Sequence, residues 1–119
     1  MIAGIGVDVV DLARFERALE STPALRERLF APGERGLGAH SLAARFAAKE
    51  ALIKSLGDVP GFRWTDVEVE RDEHGDPSFV LRNAVAELLA ARGITSVHLS
   101  MSHDAGVAFA FVVAERPAS

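Results

Sequence analysis

Ile2-Ala3-Gly4-Ile5-Gly6-Val7-Asp8-Val9-Val10 is the stretch from which the rest of the 119-residue chain can be ordered. Its β-branched residues suit an extended strand, and successive side chains of a strand point to opposite faces. Alternation therefore sets Ile5, Val7 and Val9 on one face and Gly4, Gly6 and Asp8 on the other. Two glycines leave a bare surface that another backbone, a helix or a ligand can approach closely. Asp8 is out of place there, because a buried, unpaired carboxylate is strongly destabilising. It requires a cation or hydrogen-bond donors.

Downstream of this strand, Asp11 suits the N-cap of a helix starting at Leu12, with Leu12, Phe15 and Leu19 at helical spacing. A shorter helical piece is expected over Ala24 to Phe30, and a loop over Gly33 to His40. Ser41 is the expected cap of the longest helix, which runs to about Leu56 and stops at Gly57. Arg63 to Glu70 alternates as a strand, Asp72 to Pro77 is turn-like, and Ser78 to Leu81 completes a hairpin. Ala84 to Ala91 reads as a helix ending at Gly93. Ser96 to Ser102 and Val107 to Ala114 form a second hairpin through His103-Asp104-Ala105-Gly106. The order β-α-α-β-β-α-β-β predicts one α+β domain over residues 1–119, with a mainly antiparallel sheet packed on the long helix.

Composition narrows the chemistry. The absence of cysteine excludes disulfides, thiolate metal sites and a cysteine nucleophile. With 13 Lys and Arg against 17 Asp and Glu, the net charge of -4 repels nucleic acid and anionic membranes. An anionic ligand must then be held by a local basic cluster. The apolar runs are short, and the N-terminus lacks the basic flank of a signal peptide, so a cytoplasmic location is the expectation.

The long helix carries such a cluster. On a wheel of ~100° per residue, Leu42, Phe46, Leu52, Ile53 and Leu56 form one apolar arc and alanines fill most of the remainder. A helix of this kind is packed on more than one side. Arg45 and Lys49 fall inside the apolar arc as like charges at i,i+4, a spacing that weakens a helix by about 0.2–0.5 kcal/mol. Something anionic must neutralise them. Glu50 and Lys54 sit together at the edge of the arc as a favourable i,i+4 pair. Packing this helix on the glycine face would bring Asp8 and Glu50 together as two hard oxygen ligands, and magnesium commonly uses just one or two carboxylates. Arg45, Lys49 and Lys54 would then face phosphates, which points to metal-assisted chemistry on a phosphate or pyrophosphate. In the last hairpin, Val97, Leu99 and Met101 share one strand face while His98, Ser100 and Ser102 share the other, leading to His103 and Asp104.

Gly4-Ile5-Gly6-Val7-Asp8, Arg45-Phe46-Ala47-Ala48-Lys49-Glu50-Ala51 through Lys54, and Val97-His98-Leu99-Ser100-Met101-Ser102-His103 resemble the holo-acyl carrier protein synthases, which are small 4'-phosphopantetheinyl transferases. The likeness spans nearly the whole chain, and the Gly75-Asp76-Pro77 hairpin fits it. It implies transfer of 4'-phosphopantetheine from coenzyme A to a serine of an apo carrier protein, releasing adenosine 3',5'-bisphosphate, with magnesium required. Carried over by position, Asp8 and Glu50 become metal ligands, Lys54 a catalytic contact to the reacting phosphate, and His103 a coenzyme contact. Arg45 and Lys49 match phosphate-binding positions. The serine needs a base, and Glu50, Asp104 and a metal-bound water all remain open. The resemblance also implies a homotrimer with sites shared between protomers, and docking of an acidic carrier helix on Arg14, with Arg17, Arg26 and Arg28 extending the patch. Ser21 and Ala24 stand where other members carry further basic residues. Two other functions suit the same residues: a metal-dependent hydrolase of nucleotide pyrophosphates, and a non-catalytic module that binds coenzyme A or a carrier. A hydrolase would cleave coenzyme A without an acceptor, and a module would bind it without turnover.

Overall fold

A computed structural model describes residues 1–118. The initial strand, β1 (Ile2–Asp11), leads into helices α1 (Leu12–Ser21), α2 (Leu25–Leu29) and α3 (Ala39–Leu56). After a single 3-10 turn at Trp64–Asp66 come β2 (Val67–Arg71), β3 (Pro77–Leu81), α4 (Asn83–Ala91), β4 (Ser96–Asp104) and β5 (Val107–Glu115). β1, β5 and β4 form one antiparallel sheet in that order, and β2 and β3 form a separate two-stranded ribbon.

The glycine face of β1 is where α3 packs. A side chain at Gly4 would lie 1.9 Å from the Ser55 carbonyl oxygen, and one at Gly6 would lie 1.8 Å from that of Ala51. Only glycine admits so close an approach. β5 matches it by turning Ala108, Ala110, Val112 and Ala114 inward. Ala110, Val112 and Ala114 meet Ala47, Ala48 and Ala51 of α3 in the main core, so an alanine-rich helix can lie close to the sheet. α3 is buried on nearly all sides, as its composition predicts.

The opposite sheet face is apolar and uncovered. Ile5, Val7 and Val9 are each more than half exposed, and Phe109 and Phe111 beside them are also exposed. Val7 pairs with Phe111, and Val9 with Phe109. Single exposed apolar side chains are ordinary, but a contiguous patch on one sheet face marks a contact surface.

Several local expectations need correction. α3 begins at Ala39 behind Gly38, so Ser41 lies inside the helix rather than capping it. Residues 64–66 form a turn, and only from Val67 does the alternation pair as a strand. His103 and Asp104 belong to β4, paired with Ala108 and Val107, which leaves Ala105-Gly106 as a two-residue hairpin turn. Both turn residues have positive φ, 50° and 79°, the geometry of the tight type I′ connection. The Asp72–Asp76 turn closes on itself: Asp72 N–H donates to Asp76 O, and Asp72 Oδ1 accepts from the amides of His74 and Asp76. Asp11 caps α1 as expected, its Oδ1 accepting from Arg14 N–H at 2.8 Å.

Candidate functional site

A cleft of about 550 Å³ opens where the end of β1 meets α1 and α3, with Asp8, Glu50, Arg14, Phe15 and Phe46 among its lining residues. Asp8 sits on the bare face of β1 and Glu50 on the α3 surface packed beside it. Lys54 Nζ donates to Asp8 Oδ1 at 2.8 Å and to the Val7 carbonyl at 3.1 Å. The cation that Asp8 requires is thus supplied by the chain itself. Burial and then the nearby Asp8 charge push the Glu50 carboxyl above the ordinary glutamate range, against the opposing pull of Lys54. The hydrogen bond to Asp8, reinforced by its charge, raises Lys54 above the usual lysine value. Two carboxylates close enough to repel in an open cleft form a donor set suited to a hard divalent ion. Among the described residues, no group of three or more His, Asp or Glu converges as a closed metal cage. An ion held by this pair would need its other oxygens from water or substrate, as magnesium commonly does.

Arg45 and Lys49 do not reach this cleft. They turn into the protein, where Lys49 is wholly buried and Arg45 nearly so. The anion that their spacing demands is Glu34, itself 1% exposed. Lys49 Nζ donates to Glu34 Oε1 at 2.7 Å and to the Leu29 carbonyl at 2.8 Å. Arg45 Nε lies 3.9 Å from Glu34 Oε2 and donates to Val69 O at 3.4 Å. Glu34 also accepts from the amides of Ala31 and Val69. Arg45 and Lys49 are therefore structural in this chain, and the expectation that they face phosphates is corrected. Desolvation lowers both pKa values, with Glu34 opposing the shift.

The remaining candidates divide. Arg14 lines the cleft. Arg17 and Arg28 are exposed. Arg26 instead donates to the carbonyls of Arg35 and Leu37 at 2.8 and 2.9 Å, fastening the loop before α3. His103 and Asp104 are exposed near the tip of the β4–β5 hairpin and are not among the residues lining the cleft of their own chain. Asp104 Oδ1 accepts from the Ala105 amide at 2.9 Å. Phe15 and Phe46, which stack at 5.3 Å between ring centroids, were legible only as apolar helix residues, yet they wall the cleft.

A family model described as the 4'-phosphopantetheinyl transferase superfamily matches residues 4–112. The chain belongs to that superfamily. A holo-acyl-carrier-protein synthase of Clavibacter michiganensis subsp. michiganensis is 69% identical over 115 residues, covering 97% of both chains. Among solved structures, the Neisseria meningitidis holo-acyl-carrier-protein synthase superposes with a TM-score of 0.88 at 37% identity, over 98% of this chain and 100% of that one. The Helicobacter pylori synthase in complex with coenzyme A gives a TM-score of 0.82 at 32% identity, covering 93% and 99%. The transferase fold thus carries the Asp8–Glu50 cleft on β1 and α3.

Proposed function

We propose that this transferase moves 4'-phosphopantetheine from coenzyme A to a serine hydroxyl of an apo acyl carrier protein. The observation that carries the reading is one open cleft lined by Asp8, Glu50 and Arg14, with the Lys54 ammonium bound to Asp8 beside it. The serine oxygen forms a bond to the pantetheine-side phosphorus of the pyrophosphate. The bond from that phosphorus to the bridging oxygen breaks, and adenosine 3',5'-bisphosphate leaves. Asp8 and Glu50 are the residues that would hold a magnesium ion, which when bound supplies charge neutralisation at the pyrophosphate. Lys54, tethered to Asp8, keeps a positive charge at the mouth of the site for the reacting phosphate. Of the two carboxyls considered as the base for the serine proton, Glu50 lines the cleft of its own chain and Asp104 does not. Asp104 is engaged by its neighbour's amide. Arg14, with exposed Arg17 and Arg28, supplies the basic ground for an acidic carrier helix.

The uncovered face of Ile5, Val7, Val9, Phe109 and Phe111 supports self-association, and a homotrimer is the assembly we propose for it. His103 would then reach the coenzyme at a site shared with a neighbouring protomer. No helix of the described residues is long and apolar enough to cross a membrane.

Incubation with coenzyme A, magnesium and an apo carrier should raise the carrier's mass by one phosphopantetheine group. An unchanged mass across several competent carriers would defeat the transferase reading, and coenzyme A cleavage without an acceptor would favour a hydrolase. Phe111→Asp should convert the trimer to monomer in light scattering. A persistent trimer would remove this face from the interface.

A further inference from the structure

Lys49 immediately precedes Glu50 yet takes no part in the reaction above. Its ammonium is fixed by Glu34 at 2.7 Å, the Leu29 carbonyl at 2.8 Å and the Trp64 carbonyl at 3.3 Å. It also lies over the Phe30 ring, 5.0 Å from the centroid. These contacts lead to the back of the cleft. Phe30 meets Phe15 edge-on at 6.2 Å, and Trp64 lies against Phe46 at 5.4 Å. Phe15 and Phe46 are the aromatic wall facing Asp8 and Glu50. One buried cation therefore holds both supports of that wall, Phe30 through its ring and Trp64 through its carbonyl.

Filling the core does not require an ammonium there. Methionine would occupy a similar volume, and buried ion pairs can commonly be replaced by apolar groups with no loss of stability. Methionine cannot hold two carbonyls and an aromatic face together.

We propose that Lys49, clamped by Glu34, is a positioning residue for the transfer reaction: it sets the Phe15–Phe46 wall against the cleft carboxylates without touching substrate. This rests on the transferase reading. The double variant Glu34→Gln with Lys49→Met removes both charges of the pair at once and leaves Arg45 held by the Val69 and Ser41 carbonyls. Trp64 is the single tryptophan of a chain with no tyrosine, so its fluorescence reports directly on the wall.

The double variant should still fold, with a melting temperature lowered by about 5–10 °C because Arg45 loses its counter-charge. Its Trp64 emission should shift to the red and become more open to iodide quenching. kcat should fall about tenfold or more, as expected when reacting groups are slightly misplaced. KM for coenzyme A should stay within about twofold. A folded double variant with native emission, or with native kcat, overturns the proposal by leaving the pair a purely structural one.

If the double variant fails to fold, Phe30→Leu decides. That change keeps the ion pair and removes the edge supporting Phe15, and kcat should drop about threefold or more, short of the loss from moving both supports. Unchanged turnover in Phe30→Leu also overturns the proposal. A wild-type protein that modifies no carrier would end the transferase reading, while Trp64 emission and quenching would still decide whether Lys49 sets the wall.

Discussion

α3 carries two acid–base clusters that differ in almost everything except their charges. On one side Glu34, Arg45 and Lys49 are buried, with Arg45 Nε and Lys49 Nζ directed at fixed acceptors. On the other, Asp8, Glu50 and Lys54 meet at an open cleft where Lys54 is largely exposed. The same residue types thus serve two purposes, set by water access. A buried pair cannot exchange partners without a large desolvation cost, whereas an open one can release Lys54 from Asp8 and accept a cation or a phosphate instead.

The sharpest way to break this contrast is to remove the cleft carboxylates. Asp8→Ala or Glu50→Ala should lower carrier modification by about a thousandfold, the scale of losing a main electrostatic contributor, while the fold persists in circular dichroism. Near-normal activity in both variants would remove the proposed ion site. Lys49→Ala should act on folding as well as on turnover: chemical denaturation should reveal a loss of about 3–5 kcal/mol, because Glu34 keeps its charge in the interior without its closest cation. A loss below about 1 kcal/mol would mean that water enters the cluster. Arg14→Glu should raise KM for the carrier about tenfold and spare that for coenzyme A, measured by steady-state kinetics at low salt.

The smallest effect sharpens the comparison from the cleft side. Folding raises the Glu50 pKa, so the ionised carboxylate opposes folding at neutral pH and the penalty vanishes below its unfolded value. Without magnesium, Glu50→Gln should therefore raise the melting temperature at pH 7 by about 2 °C, a small gain because the group is partly solvated. At pH 4 the gain should disappear. Equal melting temperatures of the two proteins at pH 7 would show that the folded state does not disfavour the Glu50 charge.

The sequence makes half of each cluster readable. Gly4, Gly6 and Asp8 on one strand face require a close neighbour and a counter-charge, and α3 supplies both through Ala51, Ser55 and Lys54. Arg45 and Lys49 likewise require an anion, but nothing local identifies it as Glu34. That residue lies in a stretch with no hydrophobic period, between Gly33 and Gly36, and only the folded loop carries it inward. Charge alone directs the two bases at a phosphate, and long-range packing directs them at Glu34. Alternation misled at Arg63 to Glu70 because the 3-10 turn at Trp64–Asp66 interrupts a pattern that continues in β2. The exposure of Ile5, Val7 and Val9 was equally hidden, since alternation separates two faces without saying which one is covered.

The Asp72–Asp76 turn has a practical use. Its hydrogen bonds are satisfied within the turn, and it shares no residue with the cleft or with the apolar sheet face. It is the place to graft an epitope or a dye-bearing peptide for following the enzyme at work, whereas the tip at Ala105-Gly106, whose Gly106 carbonyl accepts from the Leu12 amide at the start of α1, would transmit any graft to the helix that presents Arg14.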